Sequence, residues 1–161
     1  MLRRIKIRLI ADMALLAVGT LSSCQPNCLY HSFQTFNEEG WNKSDTLVFD
    51  VSKEQIVEGN YDLQVELRNT QELKFKELWL VVYANNDDSL RFKSDTLQCK
   101  LVNEKGRFVG SGLNRYYQTT HNVGTLHLSK QHNVRIKLAH YMKKGRLLGI
   151  HDVGIRLTRR D

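Results

Sequence analysis

The chain has 161 residues, 41% hydrophobic and 25% charged, with ten Gly and one Pro. This composition excludes a disordered, collagen-like or low-complexity chain and fits a single globular domain. Of the formal charge of +7, Arg3, Arg4, Lys6 and Arg8 against Asp12 place +3 in residues 1–23 and leave only +4 for the rest, so no nucleic-acid partner is expected.

The N-terminus reads as an address. Four bases precede a mostly apolar run, Leu9 to Leu21, whose 13 residues suit a secretory signal and fall short of a membrane-spanning helix. Asp12 is the one charge inside it. Leu21-Ser22-Ser23-Cys24 then matches the bacterial lipobox: an apolar residue, two small residues and Cys. Residues 1–23 are therefore expected to be a lipoprotein signal peptide, with Cys24 the lipidation site and mature N-terminus. The Cys24 thiol would take a diacylglyceryl group, and two or more acyl chains anchor stably without spanning. No Asp follows Cys24 to mark inner-membrane retention, and no acidic cluster follows to mark surface export. The expected location is the outer membrane, lipid-anchored and facing the periplasm.

Residues 24–40 have poor periodicity and read as a tether, although Tyr30, Phe33 and Phe36 are apolar enough to dock on a domain. From Trp41 the pattern alternates. Leu47, Phe49 and Val51 form one run, and Leu63, Val65 and Leu67 a second. Leu78 to Tyr83 is apolar on both faces, as in a central strand, and assigns Trp79 to the core. Further runs lie at 90–101, 134–139 and 153–157, with shorter candidates at 107–109 and 124–128. Glu66, Arg135 and Lys137 take solvent-facing positions. Turn signals separate these runs at 58–60, 85–88, 103–106 and 143–145. Seven or eight short strands with close turns predict an all-β, antiparallel β-sandwich over residues 41–161.

Chemistry is sparse. Among His31, His121, His127, His132, His140 and His151, no pair has the tight spacing of zinc ligands, so no metal is expected. His140 falls on the apolar face of its run and reads as a core or edge histidine. Cys28 and Cys99 can pair in an oxidising compartment, but Cys99 has inward parity beside Leu97 and Leu101, which favours a buried free thiol. Gly110-Ser111-Gly112 lacks the Lys-Ser/Thr of a phosphate loop and reads as a turn or bulge. Asp45, Asp95 and Asp152 read as turn and strand-end residues. Tyr116 and Tyr117 follow Arg115 and could stack on a sugar or dock on their own loop. No catalytic residue and no cofactor are expected.

The strings 40–46 (GWNKSDT), 95–99 (DTLQC), 106–112 (GRFVGSG) and 150–157 (IHDVGIRL), in this order behind a lipobox, closely resemble the GldH gliding motility lipoproteins of the Bacteroidetes. The resemblance covers roughly Cys24 to Leu157. It implies a small β-sandwich lipoprotein anchored in the membrane through Cys24. It also implies protein partners in the envelope, among other gliding and type IX secretion lipoproteins, and it transfers no catalytic residue. The resulting expectation is a non-enzymatic envelope component. The alternative is a ligand- or glycan-binding β-sandwich lipoprotein, and the exposure of Trp41, Trp79, Tyr116 and Tyr117 separates the two.

Overall fold

The computed structural model describes residues 27–85, 92–113 and 115–160. The expected signal peptide, Cys24 and part of the 85–88 turn lie outside them. No helix occurs among the described residues, and every strand pair is antiparallel, which bears out the sandwich. The elements are β1 (Cys28–Thr35), β2 (Trp41–Asn42), β3 (Leu47–Val51), β4 (Gly59–Asn69), β5 (Glu77–Asn85) and β6 (Phe92–Lys100). They continue with β7 (Ser111–Leu113), β8 (Tyr116–Leu128), β9 (Val134–His140), β10 (Arg146–Leu147) and β11 (Ile150–Arg159).

Five strands form one sheet in the order β1-β11-β4-β8-β7, and four form the other in the order β3-β9-β5-β6. A short β10-β2 ribbon is separate from both. The alternating runs supply the core. Leu63, Val65 and Leu67 of β4 lie beside Leu157, Ile155 and Val153 of β11. The other sheet contributes Phe49, Leu78, Leu80, Val82, Ile136 and Leu138, all buried. Trp41 is fully buried, stacked on Phe36 with ring centroids 5.5 Å apart and meeting the His140 ring edge-on at 5.2 Å.

Three features depart from the sequence reading. Residues 28–35, read as tether, are strand β1, which pairs with β11 along its length. Its face pattern hides it: Ser32 and Gln34 share the inward face with Ile155 and Val153, while Phe33 points outward opposite Gly154. Strand β8 is much longer than the expected 124–128. A bulge between the Gln64–Asn122 and Leu63–Gly124 pairs moves the inward parity from Thr119 and His121 to Leu126 and Leu128. One extra residue breaks the period of two. Residues 107–109 form only an isolated bridge, Val102 to Phe108.

The loop before β7 requires Gly110. Its φ is +97°, and a Cβ there would run into the Gln118 carbonyl oxygen. Of Gly110-Ser111-Gly112, read as a turn or bulge, only Gly110 is in the bend, and Ser111 and Gly112 begin the edge strand β7.

Candidate functional site

The outer face of the five-stranded sheet carries a connected charged network. Outward positions on β4 are polar by alternation: Asp62, Gln64, Glu66 and Arg68. Glu66 was expected in solvent but is completely buried. Its Oε2 accepts a hydrogen bond from Gln118 Nε2 at 3.0 Å and lies 3.1 Å from His31 Nε2. Arg156 Nη2 stands 2.8 Å from Oε1, close enough for Coulombic attraction but without a directed hydrogen bond, so Oε1 and Arg156 Nε remain unmatched as hydrogen-bonding atoms. A carboxylate is tolerated this far from water only with such partners.

Arg68 links this centre to a second one. Its Nε donates to Gln118 Oε1 at 2.9 Å, and its Nη1 lies 3.3 Å from Asp152 Oδ2. Asp152 is buried, which corrects its reading as a simple strand-end residue. It also accepts from Thr35 Oγ1 at 2.6 Å and lies 3.0 Å from His151 Nδ1. Burial alone would raise the Asp152 carboxyl. Hydrogen bonds from Thr35, His151 and Arg68, with the charge of His151, outweigh it and hold the group below its ordinary range.

The aromatic lid of the network is Phe33. Its ring lies against Gly154, where a Cβ would stand 2.5 Å from Phe33 Cδ1, and the Arg68 guanidinium carbon sits 4.0 Å from the ring centroid. The lone glycine inside Val153-Gly154-Ile155 was the sequence signal for this close approach. His31, Phe33 and Thr35 all belong to β1. The network thus clips the N-terminal edge strand to β11 and β4. Its acids and bases are mutually engaged, and the one hydroxyl among them, that of Thr35, is donated to Asp152.

A groove of about 880 Å³ adjoins this face, lined in part by Phe36, Gln71, Glu72, Tyr116 and His151. Tyr116 and Tyr117 belong to β8, not to a free loop. Tyr116 packs on His151 at 4.6 Å, and Tyr117 packs on Phe108 at 4.8 Å while its hydroxyl accepts from Gln71 Nε2. Both rings are therefore docked on their own domain.

The remaining candidates are dispersed. His121 bonds Thr119 at 3.0 Å, and His127 bonds Asn60 at 3.1 Å. Burial pushes the imidazoles of His121 and His140 toward the neutral form. Among the described residues no group of three or more His, Cys, Asp or Glu is placed to hold a metal. Asp45 accepts from Ser44 Oγ at 3.2 Å in its turn, and Asp95 is exposed on β6. Cys28 and Cys99 are both free, on different sheets, and burial pushes the Cys99 thiol up to about 12.

Trp79 corrects the core assignment. It lies on the outer face of β5, 38% exposed, because the inner face is occupied by Leu78, Leu80 and Val82. The apolar character of Leu78–Tyr83 on both sides is therefore a buried face and an exposed one. Trp41, by contrast, is core. Sequence alternation alone does not distinguish a doubly buried strand from one that shows an aromatic surface.

Comparison with known proteins adds three findings. The model of a family described as GldH lipoprotein matches residues 28–157, which span the described domain from β1 into β11. No curated protein matches the sequence. The VP2 chain in the crystal structure of the infectious bursal disease virus subviral particle is similar at 6% identity with a TM-score of 0.30. That match covers 82% of this chain and spans about a third, 31%, of the viral one.

Proposed function

Because the chain belongs to the GldH lipoprotein family, we propose that it is a non-enzymatic accessory of gliding motility or type IX secretion that acts by binding envelope proteins. It is anchored by acyl chains on Cys24 in the outer membrane and faces the periplasm. The observation that carries this reading is the family match across the whole folded domain. Further support comes from the outer faces. The acids and histidines of the Glu66–Asp152 network are spent on one another and on β1. Tyr116 and Tyr117, two of the aromatics that a sugar could have used, are packed on His151 and Phe108. An interface needs no poised acid or base, and concentrates its energy in aromatic and Arg anchors.

Cys24→Ser tests the anchor, since a hydroxyl does not accept diacylglyceryl transfer. Cells fed an alkyne fatty acid should label the native protein and leave the variant unlabelled. Envelope assembly and secretion should fail with the variant at equal protein level. Equal labelling would remove the lipid anchor. A stable, correctly anchored single substitution at Asp45, Asp95, His132 or Asp152 that abolishes function would overturn the non-enzymatic reading.

A further inference from the structure

The outer face of the four-stranded sheet ends in an apolar groove of about 800 Å³. Trp79 and Tyr141 are its exposed rings, 38% and 70% accessible, with Phe75 and Met142 half-buried beside them. The floor is held in place by its own backbone. The Tyr141 amide donates to the Trp79 carbonyl at 2.7 Å, and the Trp79 amide reaches Met142 Sδ at 3.3 Å. The rim is cationic. Lys74, Lys76, Lys143 and Lys144 all line the groove and are exposed, and none makes an ion pair among the described residues. Lys43 adds its charge 5.9 Å from the Tyr141 ring centroid. The one carboxylate of the lining, Glu77, is committed: it accepts from Trp79 Nε1 at 3.1 Å and from Gln98 Nε2 at 2.7 Å.

We infer that this groove docks an acidic protein segment that carries apolar side chains. The inference rests on the proposed function, because it names the chemistry of one envelope partner. Unpaired ammonium groups around an apolar floor repel one another and attract an anion, while Trp and Tyr are the residues in which interface energy concentrates. The proposed occupant sets carboxylates against the lysines and an aliphatic or aromatic side chain between Trp79 and Tyr141.

Two other anions fit less well. An acidic sugar needs several acceptors for its hydroxyls, but the lysines only donate and Glu77 is already bonded, which leaves the hydroxyls of Thr96 and Tyr141 among the lining side chains. A bilayer is placed at the wrong end. Cys28 pairs with Thr158 and Thr158 with Asp62 at one end of the sheet, while Thr35, Asp152 and Arg68 form the row at the other. Phe36 follows that second row and stacks on Trp41, which meets His140, the neighbour of Tyr141. Asp62 and Arg68 are six residues apart on β4, so the two rows are about 20 Å apart. An anchor at Cys24 lies four residues from Cys28, a reach of at most about 14 Å. The groove therefore sits at the end of the domain remote from the end of β1 that follows Cys24.

The test uses the full lipidated protein in a neutral detergent and reads Trp emission, because Trp41, the other indole, is buried. A peptide alternating Glu with Leu and Phe should shift the emission saturably. Its binding should weaken at least tenfold when Lys is placed for Glu, and at least tenfold in the Lys143→Glu/Lys144→Glu protein. Trp79→Phe should abolish the shift while leaving the urea midpoint within error of the parent. Equal binding by the Lys peptide, or no loss on charge reversal with the midpoint intact, would overturn the inference. So would tighter binding of an oligouronate or of phosphatidylglycerol vesicles than of the Glu peptide. Fatty-acid labelling reads the anchor separately, so a failed titration and a failed anchor are told apart.

Discussion

Gly154→Ala is the sharpest perturbation of the clip that holds β1. The added methyl would stand 2.5 and 2.7 Å from two carbons of the Phe33 ring and 2.8 Å from the Ser32 carbonyl oxygen. Ordinary carbon contacts are about 3.5–4.0 Å, so the ring or the strand must move by about 1 Å. The ring is not free to turn aside, since Arg68 covers it at 4.0 Å and His31 flanks it at 5.0 Å. Overpacking of this kind costs about 1–3 kcal/mol, and losing the Arg68–ring contact adds about 0.5–1 kcal/mol. We expect a loss of about 2–3 kcal/mol in urea unfolding and faster amide exchange across residues 28–35. Phe33→Ala opens the space, so Gly154→Ala in that background should cost about 1 kcal/mol, the part owed to Ser32. A stability change below about 0.5 kcal/mol with β1 exchange unchanged, or full additivity of the two substitutions, would refute the steric argument.

Glu66→Ala should cost about 3 kcal/mol, the lower end for breaking a buried ion pair, because the Arg156 side chain is 24% exposed and can reach water. A loss like that of an exposed carboxylate, under about 0.5 kcal/mol, would return Glu66 to the solvent face. Burial holds His121 and His140 neutral in the folded state. Their contribution is therefore complete above the unfolded imidazole value of about 6.5 and declines as the pH falls below it. Asp152, held low, adds a further loss below about pH 4. His140→Gln should accordingly lose less stability than the parent between pH 7 and 5, and an equal or larger loss counts against the assignment. Cys28 is half-buried and Cys99 fully buried with its thiol raised to about 12, so iodoacetamide at pH 8 should label Cys28 in the native protein and Cys99 only in urea.

The network and the cationic groove differ in how they use surface. In the first, polar residues on the outer sheet face are withdrawn from water by one another and by the outward side chains of edge strand β1, Phe33 among them. In the second, apolar residues on an outer sheet face remain open while lysines surround them. The first holds the strand that follows the proposed lipid anchor. The second presents a surface at the other end of the domain.

The sequence by itself determined the class of the molecule. Alternation at 47–51, 63–67, 134–139 and 153–157 is a local property, since a half-buried strand must repeat every two residues, and those runs are strands β3, β4, β9 and β11. Family membership was likewise legible, because ordered short strings survive without any knowledge of contacts. Strand β1 was not legible, because its inward residues include Ser32 and Gln34 and its outward ones include Phe33. Neither was the length of β8, whose bulge reverses parity midway. Glu66 and Trp79 were misplaced for the same reason in opposite senses. Alternation says which face a side chain takes, but not whether that face is covered. What covers it comes from segments distant in the chain: the side chains of His31 on β1, Arg156 on β11 and Gln118 on β8 around Glu66, whereas the loop after β9 lies beside Trp79 without closing over it. That decision belongs to the tertiary structure, because it depends on which segments pair across the sheet edges.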